Sequence, residues 1–294
     1  NQDPQVRTPA NACCYRLLDR YSGVDIRLRP TGPPCAEGPA RSSRIHLARP
    51  TWDAGRARCD HEGGTHTVDA ARAACQSCRP AFIYGSGGHA KVVAEVIAAE
   101  GVYEVRFLID DCPAKVGEVV GGHTVMGGRG ALRQLRDRDG IRHGIVAIGN
   151  ERTRHTIALE LESEGFDLLT AVHPSAQISP SARVGRGTVV MAGAVVNAGS
   201  RIGLGAVINT RCSVDHDCDI GDAAQIAPGA TLCGVVRVGA RTFIGAGATV
   251  IPGVTIGADV IVGAGAVVIR DVPDGVTVVG VPARVIKSPE PPRD

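Results

Sequence analysis

The sequence predicts a small Rossmann-like α/β domain followed by a parallel β-helix of hexapeptide repeats, and three observations carry the prediction. From Ile178 onward every sixth residue is aliphatic: Val184, Val190, Val196, Ile202, Ile208, Val214, Ile220, Ile226, Leu232, Val238, Ile244, Val250, Ile256, Val262 and Val268. If a random position is Ile, Leu or Val about 30% of the time, sixteen in succession arise by chance on the order of once in a hundred million. Upstream, short apolar runs alternate with helical periodicity, the pattern of a parallel sheet with helices on its faces. The composition agrees: 38 glycines and only 3% aromatic residues suit many small turns better than a core of large rings.

Residues 1–80 show no sustained periodicity, are rich in Arg, Pro, Gly, Ala and Cys, and read as a disordered or unassigned extension. Within them Cys59, His61, His66, Cys75 and Cys78 form a weak zinc pattern, because only one Cys-x-x-Cys pair is present. The α/β domain is expected over residues 81–172. It begins with a strand at Ala81 to Tyr84 and a glycine loop, Gly85-Ser86-Gly87-Gly88-His89. A helix over Ala90 to Ala99 follows, with Val92, Val93, Val96 and Ile97 as its apolar side. A strand at Val105 to Ile109 ends in Asp110-Asp111, a helix lies near Ala131 to Arg136, and a strand runs from Gly144 to Ile148. The helix Glu151 to Glu164, with Ile157, Leu159 and Leu161 apolar, and a strand over Phe166 to Val172 complete the domain.

The β-helix is expected over residues 173–287, with a short tail at 288–294. Three hexapeptides close one triangular coil, and the aliphatic side chains stack inward from coil to coil. Small residues four positions after each aliphatic, such as Ala194, Ser200 and Ala206, and glycines directly after it, such as Gly185, Gly203 and Gly221, are read as letting the chain turn tightly. Each repeat touches only its neighbours, so the prism is a stiff rod.

The formal net charge of +2 comes from Arg and Lys scattered among acids, which argues against a nucleic-acid stripe. No run reaches the roughly 18 apolar residues of a membrane span, and no charged-then-apolar leader opens the chain, so a cytoplasmic protein without membrane insertion is expected. Cys112, Cys212, Cys218 and Cys233 sit singly, as buried thiols do in a reducing compartment.

Residues 81–287 resemble the sugar O- and N-acyltransferases of the sialic acid O-acetyltransferase and nucleotide-linked 4-amino-sugar N-acetyltransferase type. The pieces that carry the resemblance are Ile83-Tyr84-Gly85-Ser86-Gly87-Gly88-His89-Ala90-Lys91, Leu108-Ile109-Asp110-Asp111, Ala147-Ile148-Gly149-Asn150 and His173-Pro174-Ser175-Ala176. Ile208-Asn209-Thr210, Val214-Asp215-His216-Asp217-Cys218 and Gly280-Val281-Pro282-Ala283-Arg284 continue it in the same order. The resemblance implies a left-handed β-helix, a homotrimer with acetyl-CoA grooves between neighbouring prisms, and an N-terminal domain that holds a nucleotide-activated sugar.

Acyl transfer from a thioester needs a base near neutral pKa and donors for the oxyanion. His216, flanked by Asp215 and Asp217, is the candidate base; the plain alternative is a surface histidine in an acidic turn. The resemblance makes His216 the general base and Asp217 the residue that raises its basicity. It places Gln225 where the family has a histidine near the acetyl group, and Gln can donate a hydrogen bond there without exchanging protons. By the same match the backbone of Gly234 is the oxyanion donor, and Ala246 and Ala264 line the CoA groove. Asn209 is a weaker candidate for reaching the acceptor, against a structural role at a corner.

Gly85-x-Gly87-x-x-Ala90 with Asp110 also satisfies the dinucleotide fingerprint. Backbone N–H groups at a helix start serve a nucleotide sugar as well as a nicotinamide. With a transferase prism following, Gly87, Gly88 and His89 are expected against the nucleotide sugar, and Asp110 and Asp111 against its nucleoside. A zinc carbonic anhydrase needs three histidines around a coil, and the repeats contain only His216. A non-catalytic nucleotide-binding scaffold leaves the acidic-flanked His216 without a purpose, and O-acetylation of a sialic-acid-like sugar stays open beside the amine acceptor.

Overall fold

The computed structural model describes residues 78–288, which form the two expected parts in one compact unit. Cys59, His61, His66 and Cys75 of the zinc pattern lie outside the described residues, and no three metal-binding side chains converge among the residues described.

The α/β part contains β1 (Arg79–Tyr84), α1 (Gly88–Glu100), β2 (Tyr103–Ile109), β3 (Val119–Val120), β4 (His123–Gly127), α2 (Leu132–Asp137), β5 (His143–Val146), α3 (Glu151–Ser163) and β6 (Asp167–Leu168). The sheet order is β3-β4-β2-β1-β5-β6, parallel except for the β3–β4 hairpin. That hairpin was not expected, because a two-residue strand and a five-residue strand joined through glycines carry no sustained periodicity. Central strands are buried on both faces and read as continuous apolar runs, as Ala81, Phe82, Ile83 and Tyr84 do.

Two helix faces differ from the expectation. Val92 is 42% exposed and Leu159 is 47% exposed. The core side of α1 is Ala90, Val93, Ala94, Val96 and Ile97, and that of α3 is Arg154, Ile157, Ala158 and Leu161. An i, i+3, i+4 face admitted small residues and one arginine that apolarity alone did not select. The strand expected over Phe166 to Val172 is broken: β6 closes the α/β sheet, and Ala171–Val172 is already the first rung of the prism, pairing with Val189–Val190.

From there the chain winds in coils of eighteen residues, shown by the pairing of Val189 with Val207 and of Val195 with Ser213. The first face carries eight strands, the second six and the third five. The second residue of each two-residue strand points inward, and Val190 through Val268 in steps of six are all buried in one core. The first residue points outward.

The glycines divide into two columns with different physical causes. Those directly after the aliphatic residue are not turn glycines: a Cβ on Gly185 would lie 2.6 Å from the Gly203 backbone, and one on Gly221 2.5 Å from Ala240 N. They permit close approach of successive coils. The turn itself falls two residues later, where every corner from Gly187 to Gly265 in steps of six has positive φ; eight of these fourteen residues are glycine. Arg211, Asp217, Ala223, Val235, Arg241 and Asp259 hold the left-handed conformation without being glycine, at some cost in strain. After Val268 the phase shortens. Val272 bridges to Ile256, and Asp271 and Asp274 accept from Thr255 N and Ala258 N at 2.8 Å, closing the prism with side chains.

The α/β part docks on the first face and on the edge between the third and first faces. Outward-facing Val189 and Val207 are buried in one cluster with Val93, Val96 and Ile97 of α1. Along the edge, α3 pairs Arg152 with Asp259 at 3.0 Å and Glu162 with Arg186.

Candidate active site

The expected site residues sort onto four places. His216, Asp217 and Gly234 lie on the edge between the second and third faces, which is opposite the first face where the α/β part docks. Asn209, Ala246 and Ala264 lie on the edge between the first and second faces. Gln225 faces outward on the first face, one rung above Val207. Gly87, Gly88, His89, Asp110 and Asp111 lie at the glycine loop. Within one chain the glycine loop and the His216 edge are not brought together.

At the His216 corner, Nδ1 of the ring is 2.9 Å from Asp217 Oδ2. A carboxylate only accepts, so in the neutral ring Nδ1 carries the proton and Nε2 presents its lone pair. The His216 N–H donates to Asp215 Oδ1 at 2.8 Å, and Asn197 Nδ2 donates to the same oxygen at 3.0 Å. The bond to Asp217, then the charge of Asp215, raises the His216 pKa above the ordinary imidazole value. Both side chains are more than half exposed, so the ring is accessible from the surface.

Two glycines make room for the pair. A Cβ on Gly199, one coil earlier, would run into the Asp217 carboxylate, and a Cβ on Gly234, one coil later, would lie 2.5 Å from His216 Nε2. Asp217 itself occupies the left-handed corner at φ 57°, a conformation aspartate tolerates better than most residues. The Gly234 N–H has no hydrogen bond among the described residues, and the open Cα of Gly234 adjoins the His216 ring, so a free backbone group lies in the neighbourhood of Nε2.

On the next edge Ala246 and Ala264 are exposed and stacked one coil apart, with Gly265 N donating to Ala246 O at 2.8 Å. Their small side chains leave the main chain open to a long ligand lying along the prism. Asn209 turns its amide oxygen back to Thr210 N at 2.8 Å, so at least that atom is engaged in the corner.

In the glycine loop, a Cβ on Gly87 or Gly88 would meet nothing within 4 Å, so the chain's own packing does not require glycine there. Both are exposed at the start of α1, where unpaired N–H groups favour an anion. His89 follows with Nε2 buried and without a partner among the described residues. Burial, then the Arg154 charge, pushes its pKa down to about 4. Asp110 is turned inward: it accepts from Ser86 N and Oγ, Cys112 N and Lys115 Nζ. Burial pushes its pKa up, but the Lys115 and Ser86 bonds outweigh it and hold the carboxyl below its usual range. Asp111 accepts from Tyr84 OH at 2.7 Å and Arg129 N at 3.1 Å, and is half exposed.

Arg154 was not singled out by sequence. It is 1% exposed and donates to four carbonyls: Ile148 at 2.8 Å, Gly149 at 3.2 Å, Gly205 at 2.9 Å and Ala223 at 2.7 Å. Two belong to the β5–α3 loop and two to prism corners, so the guanidinium ties the two parts together.

A hexapeptide prism whose edge carries a carboxylate-paired histidine against a bare glycine offers groups that acyl transfer can use. Comparison with known proteins agrees and narrows the class. Residues 81–161 match the PglD N-terminal domain, and residues 236–270 match the bacterial transferase hexapeptide (six repeats). PerB from Caulobacter crescentus, solved in complex with CoA and GDP-perosamine, is 49% identical, with TM-score 0.67 over 71% of this chain and 97% of that one. The acetyltransferase domain of PglB from Neisseria gonorrhoeae FA1090, in complex with acetyl coenzyme A, is 42% identical, with TM-score 0.66 over 71% of this chain and 100% of that one. UDP-N-acetylbacillosamine N-acetyltransferase of Bacillus subtilis (strain 168) is 42% identical over 106 residues, 36% of this chain and 48% of that protein, so the match spans about half of that relative. The chain belongs to the family of hexapeptide-repeat sugar acyltransferases, and its prism is the left-handed β-helix of that family.

Proposed function

We propose that this protein transfers the acetyl group of acetyl-CoA to the amino group of a nucleotide-linked amino sugar, with His216 as general base. The observation that carries the proposal is the Asp217–His216–Gly234 arrangement. Asp217 holds Nδ1 of the ring, and Nε2 stands against the bare Cα of Gly234, where even a methyl group would not fit. The sugar amine attacks the thioester carbonyl, forming a C–N bond while Nε2 takes a proton from nitrogen. The Gly234 N–H stabilises the oxyanion, and the C–S bond then breaks, with the proton passing from Nε2 to the leaving thiolate.

The amine is favoured over a hydroxyl because the relatives matched bear N-acetyltransferase names or were solved with GDP-perosamine. The bare glycine loop supports a nucleotide diphosphate at Gly87, Gly88 and His89, with Asp111 the more accessible acid toward the nucleoside. Asp110 acts there through Ser86, whose hydroxyl and N–H it holds.

The His216 edge lies opposite the face that carries the glycine loop, so a complete site needs more than one copy. This supports a homotrimer in which the His216 edge of one prism faces the Asn209, Ala246 and Ala264 edge of its neighbour, with CoA between them. Gln225 then donates to the acetyl carbonyl. Among the described residues no helix is long and apolar enough to cross a membrane. An acetyl-CoA donor supports a cytoplasmic reaction.

The test is release of free CoA thiol on mixing purified protein and acetyl-CoA with GDP-perosamine or UDP-linked 4-amino sugars. Turnover with an amine acceptor that His216→Ala reduces by at least about a hundredfold, with CoA binding kept, is the expected result. No release with any acceptor, or near-normal turnover in the variant, overturns the reading. Light scattering at the mass of three chains checks the assembly.

A further inference from the structure

The four-residue corners of the prism close in two different ways, and both occur on the reacting edge, where Ala182 donates to Ser179 O at 2.9 Å and Ser200 to Asn197 O at 3.4 Å, but the corners that bear His216 and Gly234 show no such bond. On the edge between the first and second faces, the N–H of the fourth residue reaches the carbonyl of the first. Ala194 donates to Met191 at 3.2 Å, Cys212 to Asn209 at 3.2 Å, Ala248 to Gly245 at 3.1 Å and Ala266 to Gly263 at 3.2 Å. The residues stacked beneath these corners, Ala176, Ala194, Ala230 and Ala248, put nothing polar into the turn.

The corner that bears His216 is different. Beneath it lies Ser200, 0% exposed, whose hydroxyl donates to Asp215 O at 2.6 Å and accepts from Cys218 N at 3.1 Å. The hydroxyl stands between the two groups that would otherwise bond each other. One coil later, Cys218, 1% exposed, lies under the corner that bears Gly234, and its thiol donates to Cys233 O at 3.2 Å. Cys218 is therefore the last residue of the His216 corner and the insert of the Gly234 corner.

We propose that Ser200 and Cys218 are positioning residues, which hold open the two corners of the reacting edge and so set His216 Nε2 against Gly234. The inference rests on the transferase reading above. Neither side chain reaches substrate, because both are sealed inside the prism. Their effect passes through the backbone of Asp215 to Cys218 and of Cys233 to Val236. With alanine at 200, the Cys218 N–H falls back on the Asp215 carbonyl, as it does over Ala176 and Ala194. The carboxylates that flank the ring move with it. Thr188 and Thr242 hold corners open in the same manner, each donating to one end and accepting from the other, under Gly203 to Ala206 and Gly257 to Val260. A threonine hydroxyl is therefore able to do this work.

The experiment compares wild type, Ser200→Ala and Ser200→Thr in steady-state acetyl transfer, each first shown to unfold cooperatively. Ser200→Ala is expected to lose about tenfold in kcat with KM for acetyl-CoA within about twofold, as small misplacements of reacting groups do. The acid limb of its kcat/KM profile is expected to move to lower pH, since displacing Asp215 and Asp217 relaxes the His216 pKa toward its ordinary value. Ser200→Thr is expected to restore at least half of kcat and the wild-type limb. Turnover of Ser200→Ala within twofold of wild type, a loss confined to KM, or a threonine variant no better than alanine overturns the proposal. If Ser200→Ala does not fold, Cys218→Ala and Cys218→Ser make the same comparison on the Gly234 corner. Wild-type protein without transfer activity defeats the transferase reading instead, and the two failures are told apart by that control.

Discussion

The guanidinium of Arg154 donates 2.7 Å to the carbonyl of Ala223, a residue 69 positions further along the chain at a left-handed corner of the prism. With its bonds to Gly205, Ile148 and Gly149, it fixes the α3 end of the α/β part to the β-helix. Burial pushes its pKa down to about 10, still above any working pH, so it acts as a cation. Removing it leaves four carbonyls without their donor.

Arg154→Met is therefore expected to cost about 3 kcal/mol or more in unfolding free energy, since each buried acceptor left unsatisfied costs roughly 1–3 kcal/mol. Chemical denaturation followed by far-UV circular dichroism checks it. A midpoint unchanged from wild type contradicts the role given to the residue.

Gly234→Ala should separate stability from turnover. The added methyl carbon lies 2.5 Å from His216 Nε2, and the exposed ring must swing away. A loss in kcat of about a hundredfold is expected with little change in melting temperature, because a displaced base forfeits most of general-base catalysis. Retained activity would show that the ring does not work from this position.

Asp217→Asn tests the orientation of the ring by pH. His216 is raised in pKa first by its bond to Asp217 and then by Asp215, so in kcat/KM its deprotonation limb should lie above the ordinary imidazole value. The variant should move that limb to lower pH while lowering the plateau. A limb that stays in place assigns it to another group.

The half-buried His89 makes a stability prediction of known sign. Its pKa is about 4 in the folded chain, against an ordinary value near 6.5, so the unfolded state binds more protons between these values. Its contribution is intact above pH 6.5 and is lost as pH falls toward 4, by up to about 3 kcal/mol. His89→Gln should flatten the fall in urea midpoint over that window. Parallel curves for the two proteins would refute it.

Val235 is a β-branched residue at φ 64° beside Gly234, and its side chain is 47% exposed. Strain of this kind costs about 1–3 kcal/mol, which exceeds the chain entropy that glycine adds. Val235→Gly should raise unfolding free energy by about 1 kcal/mol, measured in urea. A lower midpoint would mean that the valine packs more than it strains.

The prism is legible in the residue pattern alone. Sixteen aliphatic residues at a period of six admit one arrangement, an inward column, and the coordinates bury that column from Val190 to Val268. The residue pattern also determined the central strands and helices of the α/β part, because an apolar run or an amphipathic face is a local property. His216 and Asp217 were legible as an acidic-flanked histidine, and Gly234 only through the family resemblance. The two glycine columns look alike in sequence; only the fold separates the residues that let coils approach from those that turn the corner. Arg154 reads locally as a solvent-facing residue of an amphipathic helix. The tertiary structure buried it, because its carbonyl partners on the prism lie 51 and 69 residues away and no local pattern records them. The same holds for Ser200, one of many small inward residues until the coil above brings Asp215 O and Cys218 N onto its hydroxyl. Periodicity is written in neighbours along the chain, whereas satisfaction of a buried polar group is decided by whatever the fold stacks against it.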